Sequence, residues 1–282
     1  MKRQIQRILL KLMMYFRKVF LCTPIAYRIF LTLCLGSLLL LLIFFLSLPS
    51  LTPLESMYPV VTSLDSQQKK LQIEWKENKP PYWVELSHMS PYAYHAVRLS
   101  EDWTFFTHSG IDMFELKSAL LKNFENRTYV RGASTISQQL IKNLFLSRTK
   151  SIVRKAQEFV LTLELERRFP KSLILESYMN VVEWGPNVFG IEQASMYYFD
   201  LHASQLGPKE GAFLAMLLPS PIRYGESFRK KILSSYAQKT IHNILEKMAV
   251  DGVISREILE REKGRRLSFE QQFFQRFWWE DL

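Results

Sequence analysis

A mainly α-helical, exported domain behind a single N-terminal membrane-crossing helix is the architecture that this 282-residue sequence predicts. Three observations carry it. The twenty residues Ile29 to Leu48 hold no charge and are long enough to cross a hydrocarbon core as a helix. Lys2, Arg3, Arg7, Lys11, Arg17, Lys18 and Arg28 precede that run, and no acidic residue occurs before Glu55. Beyond the run and a proline-rich connector, apolar residues recur at helical spacing in one segment after another.

The basic flank, 1–28, fixes the topology. Positive charge stays on the cytoplasmic side, so everything after the 29–48 helix is expected outside the cytoplasmic membrane. Seven of the charges behind the net +10 sit on this flank, leaving +3 for the rest. The basic balance is therefore a topology signal with some attraction for anionic lipid, and it does not point to nucleic acid. The apolar run exceeds the core of a secretory signal and leads into Leu-Pro-Ser-Leu-Thr-Pro, which reads as a retained anchor. The two cysteines, Cys22 and Cys34, lie beside or inside the anchor, so the exported part has no disulfide framework and no thiol chemistry. Its histidines lack metal-ligand spacing.

Residues 49–89 form the connector, in which Leu71 to Trp75 alternates well enough for a short strand. Helices are then expected over 111–124, 138–145 with a cap at Ser134 or Thr135, 152–169 up to Pro170, 171–182, 189–199, 209–218, 228–248 and 256–262. The main domain spans 90–250. A tail over 251–282 carries Phe269, Phe273, Phe274, Phe277, Trp278 and Trp279, suited to packing on the domain or to touching a bilayer interface.

Without exported thiols, a metal cluster or a glycine-rich phosphate loop, the candidate reactive groups are carboxylates. Glu101 and Asp102 stand together among Trp103, Phe105 and Phe106. Desolvation and a neighbouring like charge raise a carboxyl pKa and suit it to proton transfer near neutral pH. On these residues alone, a catalytic carboxylate and a solvated acidic turn both fit. Arg154 and Glu158 stand four apart on one helix face, with Lys142, Arg148, Lys150 and Lys155 nearby. Cations beside a carboxylate suit a diphosphate leaving group, and an exposed ion pair fits the same pattern. Ser134, Thr135, Ser137, Gln138 and Gln139 offer donors and acceptors for a hydroxyl-rich ligand, or a plain helix cap. Lys171 to Asn180 reads as structural, with Glu176 and Asn180 on one face.

These segments together resemble glycosyltransferase family 51, the peptidoglycan transglycosylases. Glu101 to Gly110 fits E-D-x-x-F-x-x-H-x-G. Gly132 to Gln139 fits G-x-S-T-[IL]-[TS]-Q-Q, and Arg154 to Glu158 fits R-K-x-x-E. Lys171 to Asn180 fits K-x-x-I-L-E-x-Y-L-N with Met179 in place of Leu. Four blocks in order over roughly 90–250 make chance a poor explanation.

The resemblance implies a lysozyme-like helical glycosyltransferase domain that polymerises glycan strands from lipid II with inversion, releasing polyprenyl diphosphate. It implies Glu101 as the base and Glu158 as the second catalytic carboxylate. Asp102, Ser134, Gln138, Gln139, Lys142, Lys150, Arg154 and Lys155 are implied as substrate contacts. No cofactor or protein-held metal is implied, with room for a divalent cation (Mg or Mn) at the diphosphate. The implied partners are lipid II, the growing glycan chain, membrane lipid and other wall-synthesis proteins, with no nucleic acid. The implied location is the bacterial inner membrane, with the domain in the periplasm.

Two positions depart from the family pattern: Lys150 stands where Arg is usual, and Thr240 stands at an arginine position before Ile244-Leu245. A transpeptidase domain is not expected, since about thirty residues follow the module and the Ser-x-x-Lys matches lack a Lys-Thr-Gly partner. Two other functions remain on the sequence: glycan cleavage by a lysozyme-like carboxylate, which leaves the cations unexplained, and a non-catalytic scaffold.

Overall fold

The computed structural model describes residues 10, 11, 14, 24–65, 70–125, 134–147, 149 and 151–270. Lys150, Gly132, Arg148, Cys22 and the tail aromatics beyond Phe269 that figure in the sequence reading lie outside these residues, as does most of the basic flank. The chain divides into two compact units, 1–49 and 50–282.

In the first unit, helix α1 (Ile25–Leu46) starts directly after Pro24, whose fixed φ suits a helix entry. Its Tyr27–Leu46 stretch has a mean hydropathy of 2.9 and no buried residue within its unit. Twenty-two residues rise about 33 Å, enough for a hydrocarbon core of ~30 Å. The helix stops two residues before the expected Leu48, ahead of Pro49, whose ring disfavours helical backbone in the residue before it.

The second unit opens with a short turn of helix, α2 (Pro53–Ser56), and an antiparallel hairpin, β1 (Tyr58–Asp65) with β2 (Lys70–Lys76). Only β2 was expected. Pro59 masked β1, yet a two-stranded ribbon leaves each strand one free edge, where a missing N–H costs little. The hairpin is tied to the helical body by Trp75 against Phe145, ring centres 5.8 Å apart.

The helical body follows: α3 (Pro91–Glu101), α4 (Met113–Glu125), α5 (Ile136–Phe145), α6 (Ile152–Arg168) and α7 (Lys171–Val181). A small hairpin of β3 (Glu183–Gly185) and β4 (Val188–Phe189) leads to α8 (Ile191–Phe199) and α9 (Pro208–Leu217). Then come α10 (Pro221–Tyr224), α11 (Glu226–Arg229), α12 (Ser235–Val250) and α13 (Arg256–Gly264). The expected helical class is observed.

Three local expectations change. Helix α3 was not foreseen, because Pro91 resembled the end of the connector; it is instead the first helical residue. The segment from Phe189 begins as a strand and turns helical only after Gly190, whose φ of +81° an L side chain rarely adopts. The single helix expected over 228–248 is broken at Lys231 (φ +57°), and Ser234 recaps the chain by accepting from the Ala237 N–H at 3.2 Å.

Every residue of α9 is buried, with α3 and α12 packed against it. Gly211 makes the α3 contact: a Cβ there would lie 2.8 Å from the Tyr92 carbonyl oxygen. A second group forms where α5 packs on both α6 and α7. Phe269 is buried among Phe199, Phe213 and Phe228, so the tail begins in the core; burying such a ring contributes about 2–3 kcal/mol.

Candidate active site

Glu101 is the last residue of α3 and lines a cleft of about 480 Å³. Ser100, Asp102, Trp103, Asp112, Glu115, Ser134, Thr135 and Lys247 line the same cleft. The carboxylate is held from α5: Gln139 Nε2 donates to Glu101 Oε2 at 2.8 Å. Burial pushes the Glu101 pKa above the ordinary glutamate value. The Gln139 bond and the charges of Lys142 and Lys247 pull against that shift, and Asp102 adds to it. A basic, desolvated carboxylate facing a cleft is therefore in place, and the acidic-turn alternative does not describe it.

The rest of the first block builds the support. Asp102 is buried; its oxygens meet His108 Nε2 at 2.9 and 3.0 Å, and its Oδ2 also accepts from the Ile136 N–H at 3.0 Å. His108 Nδ1 accepts from the Gly110 N–H at 3.0 Å, so Nε2 must carry the proton given to Asp102. Asp102 thus joins the first block to the start of α5, and it also lines the cleft. Gly110 has φ +95°, and a Cβ there would come within 2.9 Å of both Thr162 and Glu166 side chains. Its carbonyl accepts from Thr135 Oγ1 at 2.6 Å.

The second block splits by function. Thr135 caps α5 in a reciprocal box: its Oγ1 accepts from the Gln138 N–H at 3.2 Å, and Gln138 Oε1 accepts from the Thr135 N–H at 3.1 Å. Gln138 is buried in this cap, with its Oε1 engaged by the Thr135 N–H. Ser134 is exposed at the cleft, and Gln139 turns to Glu101. The bland alternative of two solvent-facing amides fails for both glutamines.

Glu158 is buried on α6. Arg154 Nη1 donates to its Oε2 at 2.8 Å, and the Lys155 ammonium pairs with its Oε1. Arg154 Nε is buried and makes no hydrogen bond to any described residue. One turn on, the Thr162 hydroxyl donates to the Glu158 carbonyl at 2.7 Å, and Thr162 is one of the two residues against which Gly110 packs. The cation-braced glutamate therefore stands on the helix that abuts the first block. Lys142 acts electrostatically on Glu101. Among the described residues, no group of three or more His, Cys, Asp or Glu could hold a metal ion.

Sequence reasoning missed Tyr178 and Lys247. Tyr178 lies within the fourth block, which was read as structural. That reading holds for Glu176, which accepts from Trp83 Nε1 and the Leu86 N–H, both at 2.9 Å. It holds for Asn180, which accepts from the Val84 N–H and donates to the Val84 carbonyl. Tyr178 instead donates its hydroxyl to Gln139 Oε1 at 2.9 Å. Lys247 reaches the cleft from α12, donating to the Leu99 carbonyl at 2.9 Å, with its ammonium 5.7 Å from the Trp103 ring centre. No local pattern marks it, because its contact spans nearly 150 residues.

A basic, desolvated carboxylate in the cleft of a helical domain marks an enzyme that moves protons with carboxylates. Comparison with known proteins narrows that class. The family model described as transglycosylase matches residues 67–249. A biosynthetic peptidoglycan transglycosylase of Aromatoleum aromaticum is 47% identical over 157 residues, covering 56% of this chain and 68% of that protein. One of the same name from Azoarcus sp. (strain BH72) is 47% identical over 150 residues, covering 53% and 65%. Another, from Dechloromonas aromatica, is 40% identical over 172 residues, covering 61% and 73%. The chain belongs to the transglycosylase family.

Proposed function

We propose that this chain polymerises peptidoglycan glycan strands from lipid II, with Glu101 as the general base. The observation that supports it most is the Glu101 carboxylate, made basic by burial yet fixed by Gln139 at a cleft. Glu101 takes the proton of the acceptor sugar's 4-hydroxyl, and that oxygen attacks the anomeric carbon of the donor. The bond to the diphosphate breaks with its electron pair, and polyprenyl diphosphate leaves. General-base assistance of this kind contributes about 10²–10⁴-fold.

Arg154 and Lys155, held by Glu158, stabilise the charge that grows on the leaving diphosphate, joined by Lys142 and Lys150. Glu158 acts as the anchor that aims these cations, since both its oxygens are engaged. Any divalent cation that takes part would be carried on the diphosphate oxygens, a mode usual for Mg²⁺. Ser134 meets the sugars at the cleft. The catalytic region spans 90–250. The α1 helix anchors it to the inner membrane with the basic flank cytoplasmic and the domain periplasmic, beside its lipid-linked substrate.

The test is polymerisation of purified lipid II by the full-length protein, with products resolved on a gel. Glu101→Gln should remove polymer while leaving the helical circular-dichroism spectrum intact. Unchanged polymer from that variant rejects Glu101 as the base.

A further inference from the structure

We propose that Tyr178 is a positioning residue for the reaction: through Gln139, it fixes which end of the amide meets Glu101. The inference rests on the reading of Glu101 as the base. An amide has a donating and an accepting end of nearly the same shape, and a carboxylate only accepts. Gln139 serves Glu101 only with Nε2 turned toward it, the arrangement observed at 2.8 Å. The far end favours the same arrangement: Gln139 Oε1 accepts from the Tyr178 hydroxyl at 2.9 Å, and a half-turn of the amide would leave that buried proton without an acceptor among the described residues.

Tyr178 is suited to that task. It is fully buried on α7, which packs against α5, the helix carrying Gln139. Burial, together with the Glu101 and Asp102 charges, pushes its phenol pKa well up, so the hydroxyl remains a donor throughout the working range. The chain Tyr178 to Gln139 to Glu101 is then directional, each donor polarising the next. With the hydroxyl removed, the amide is free to turn its oxygen to the carboxylate, and Glu101 answers by holding a proton.

The other charged groups facing Glu101 are Lys142 from α5, Lys247 from α12 and the adjoining Asp102, with Asp112 and Glu115 on the same cleft wall. Tyr178→Phe leaves all of them in place. The sign is then fixed. Losing a donor that favours the carboxylate raises the Glu101 pKa further, so the acid limb of kcat moves to higher pH. A tyrosine that merely fills space would lower stability or kcat at every pH without moving the limb.

The experiment uses the full-length protein with lipid II, recording kcat and KM against pH for wild type and Tyr178→Phe. A ¹³C NMR titration of side-chain-labelled glutamate accompanies it, with the Glu101 signal assigned by its absence in Glu101→Gln. The expected result is a fall in kcat of about two- to tenfold at pH values on the acid limb, the scale of one hydrogen bond. KM should stay within about twofold, and both the limb and the Glu101 titration should move up by roughly half to one pH unit. Gln139→Met should move them equally, and the double variant no further, since the residues act in series. An unmoved Glu101 titration in Tyr178→Phe, or in Gln139→Met should the first variant fold poorly, overturns the proposal. Polymerisation retained by Glu101→Gln instead overturns the base assignment, and the NMR titration still judges Tyr178 separately.

Discussion

Glu101 and Glu158 are the same side chain in one domain, and their surroundings could hardly differ more. Glu158 is the more completely buried of the two, yet both its oxygens face cations, Arg154 and Lys155. Glu101 is less enclosed, and its one side-chain hydrogen bond among the described residues comes from a neutral amide. Burial alone therefore does not make a catalytic base. A buried carboxylate with both oxygens engaged by cations is placed to hold those cations. One matched by an amide and by more distant lysines keeps its basicity and can accept a proton.

The most severe way to break this comparison is to neutralise each glutamate in turn. Glu101→Gln should lower kcat by about 10²–10⁴-fold with folding intact. It should also raise Tm at neutral pH. A carboxyl whose folded pKa lies above its unfolded value contributes stability below the unfolded pKa, and this is lost as pH rises through the folded pKa. The Tm gain of the variant should therefore vanish toward the unfolded glutamate pKa of about 4.3. A gain that persists at lower pH would show that desolvation of the charge is not its cause.

Around Glu158 the effects belong to stability first. The Arg154 side chain is 16% exposed and that of Lys155 is 51% exposed, so water already shares the lysine's work. Arg154→Met should cost about 3 kcal/mol in urea unfolding by leaving a buried charge half-compensated, whereas Lys155→Met should cost less than about 1 kcal/mol. Equal losses would mean that the lysine is as essential a brace as the arginine.

The same contrast explains what the sequence made legible. Blocks of short-range chemistry came through: the Arg154–Glu158 spacing, the Thr135 cap and the carboxylates at 101 and 102 all lie where their patterns put them. Partner choice did not come through. Asp102 and Gln138 are polar residues inside a site pattern, and nothing local tells whether such a side chain meets substrate or braces a backbone N–H; here they brace Ile136 and Thr135. Tyr178 and Lys247 act through contacts that exist only after helices distant in sequence have packed. Helix α3 and strand β1 were hidden by prolines, whose missing N–H is harmless at a first helical turn and on a ribbon edge.

Lys247 offers a milder way to sharpen the comparison. Its charge is the weaker of the two lysine influences that favour the Glu101 carboxylate. Lys247→Met should therefore shift the acid limb of kcat upward by less than about half a pH unit, a smaller move than that expected from Tyr178→Phe. A larger shift would transfer control of the base from the amide relay to the α12 lysine.

The smallest effect is expected at Thr240, where the chain departs from the family's arginine. Thr240 is half-buried on α12, and its hydroxyl is spent on the Tyr236 carbonyl of its own helix at 2.8 Å. Seven residues separate it from Lys247, which puts both on nearly the same helix face, about 10 Å apart along the axis. Thr240→Arg should leave stability within about 0.5 kcal/mol, while its guanidinium adds positive charge along the face that reaches the cleft. The charge lies about one Debye length from Lys247 at 0.1 M salt. It should therefore act on an approaching diphosphate and hardly on the desolvated Glu101. The measurable result is a fall in KM for lipid II of about two- to fivefold at low salt, fading as salt is raised, with the acid limb of kcat unmoved. Movement of that limb would mean that the α12 face belongs to the base, and the division between the two glutamates would have to be redrawn through this helix.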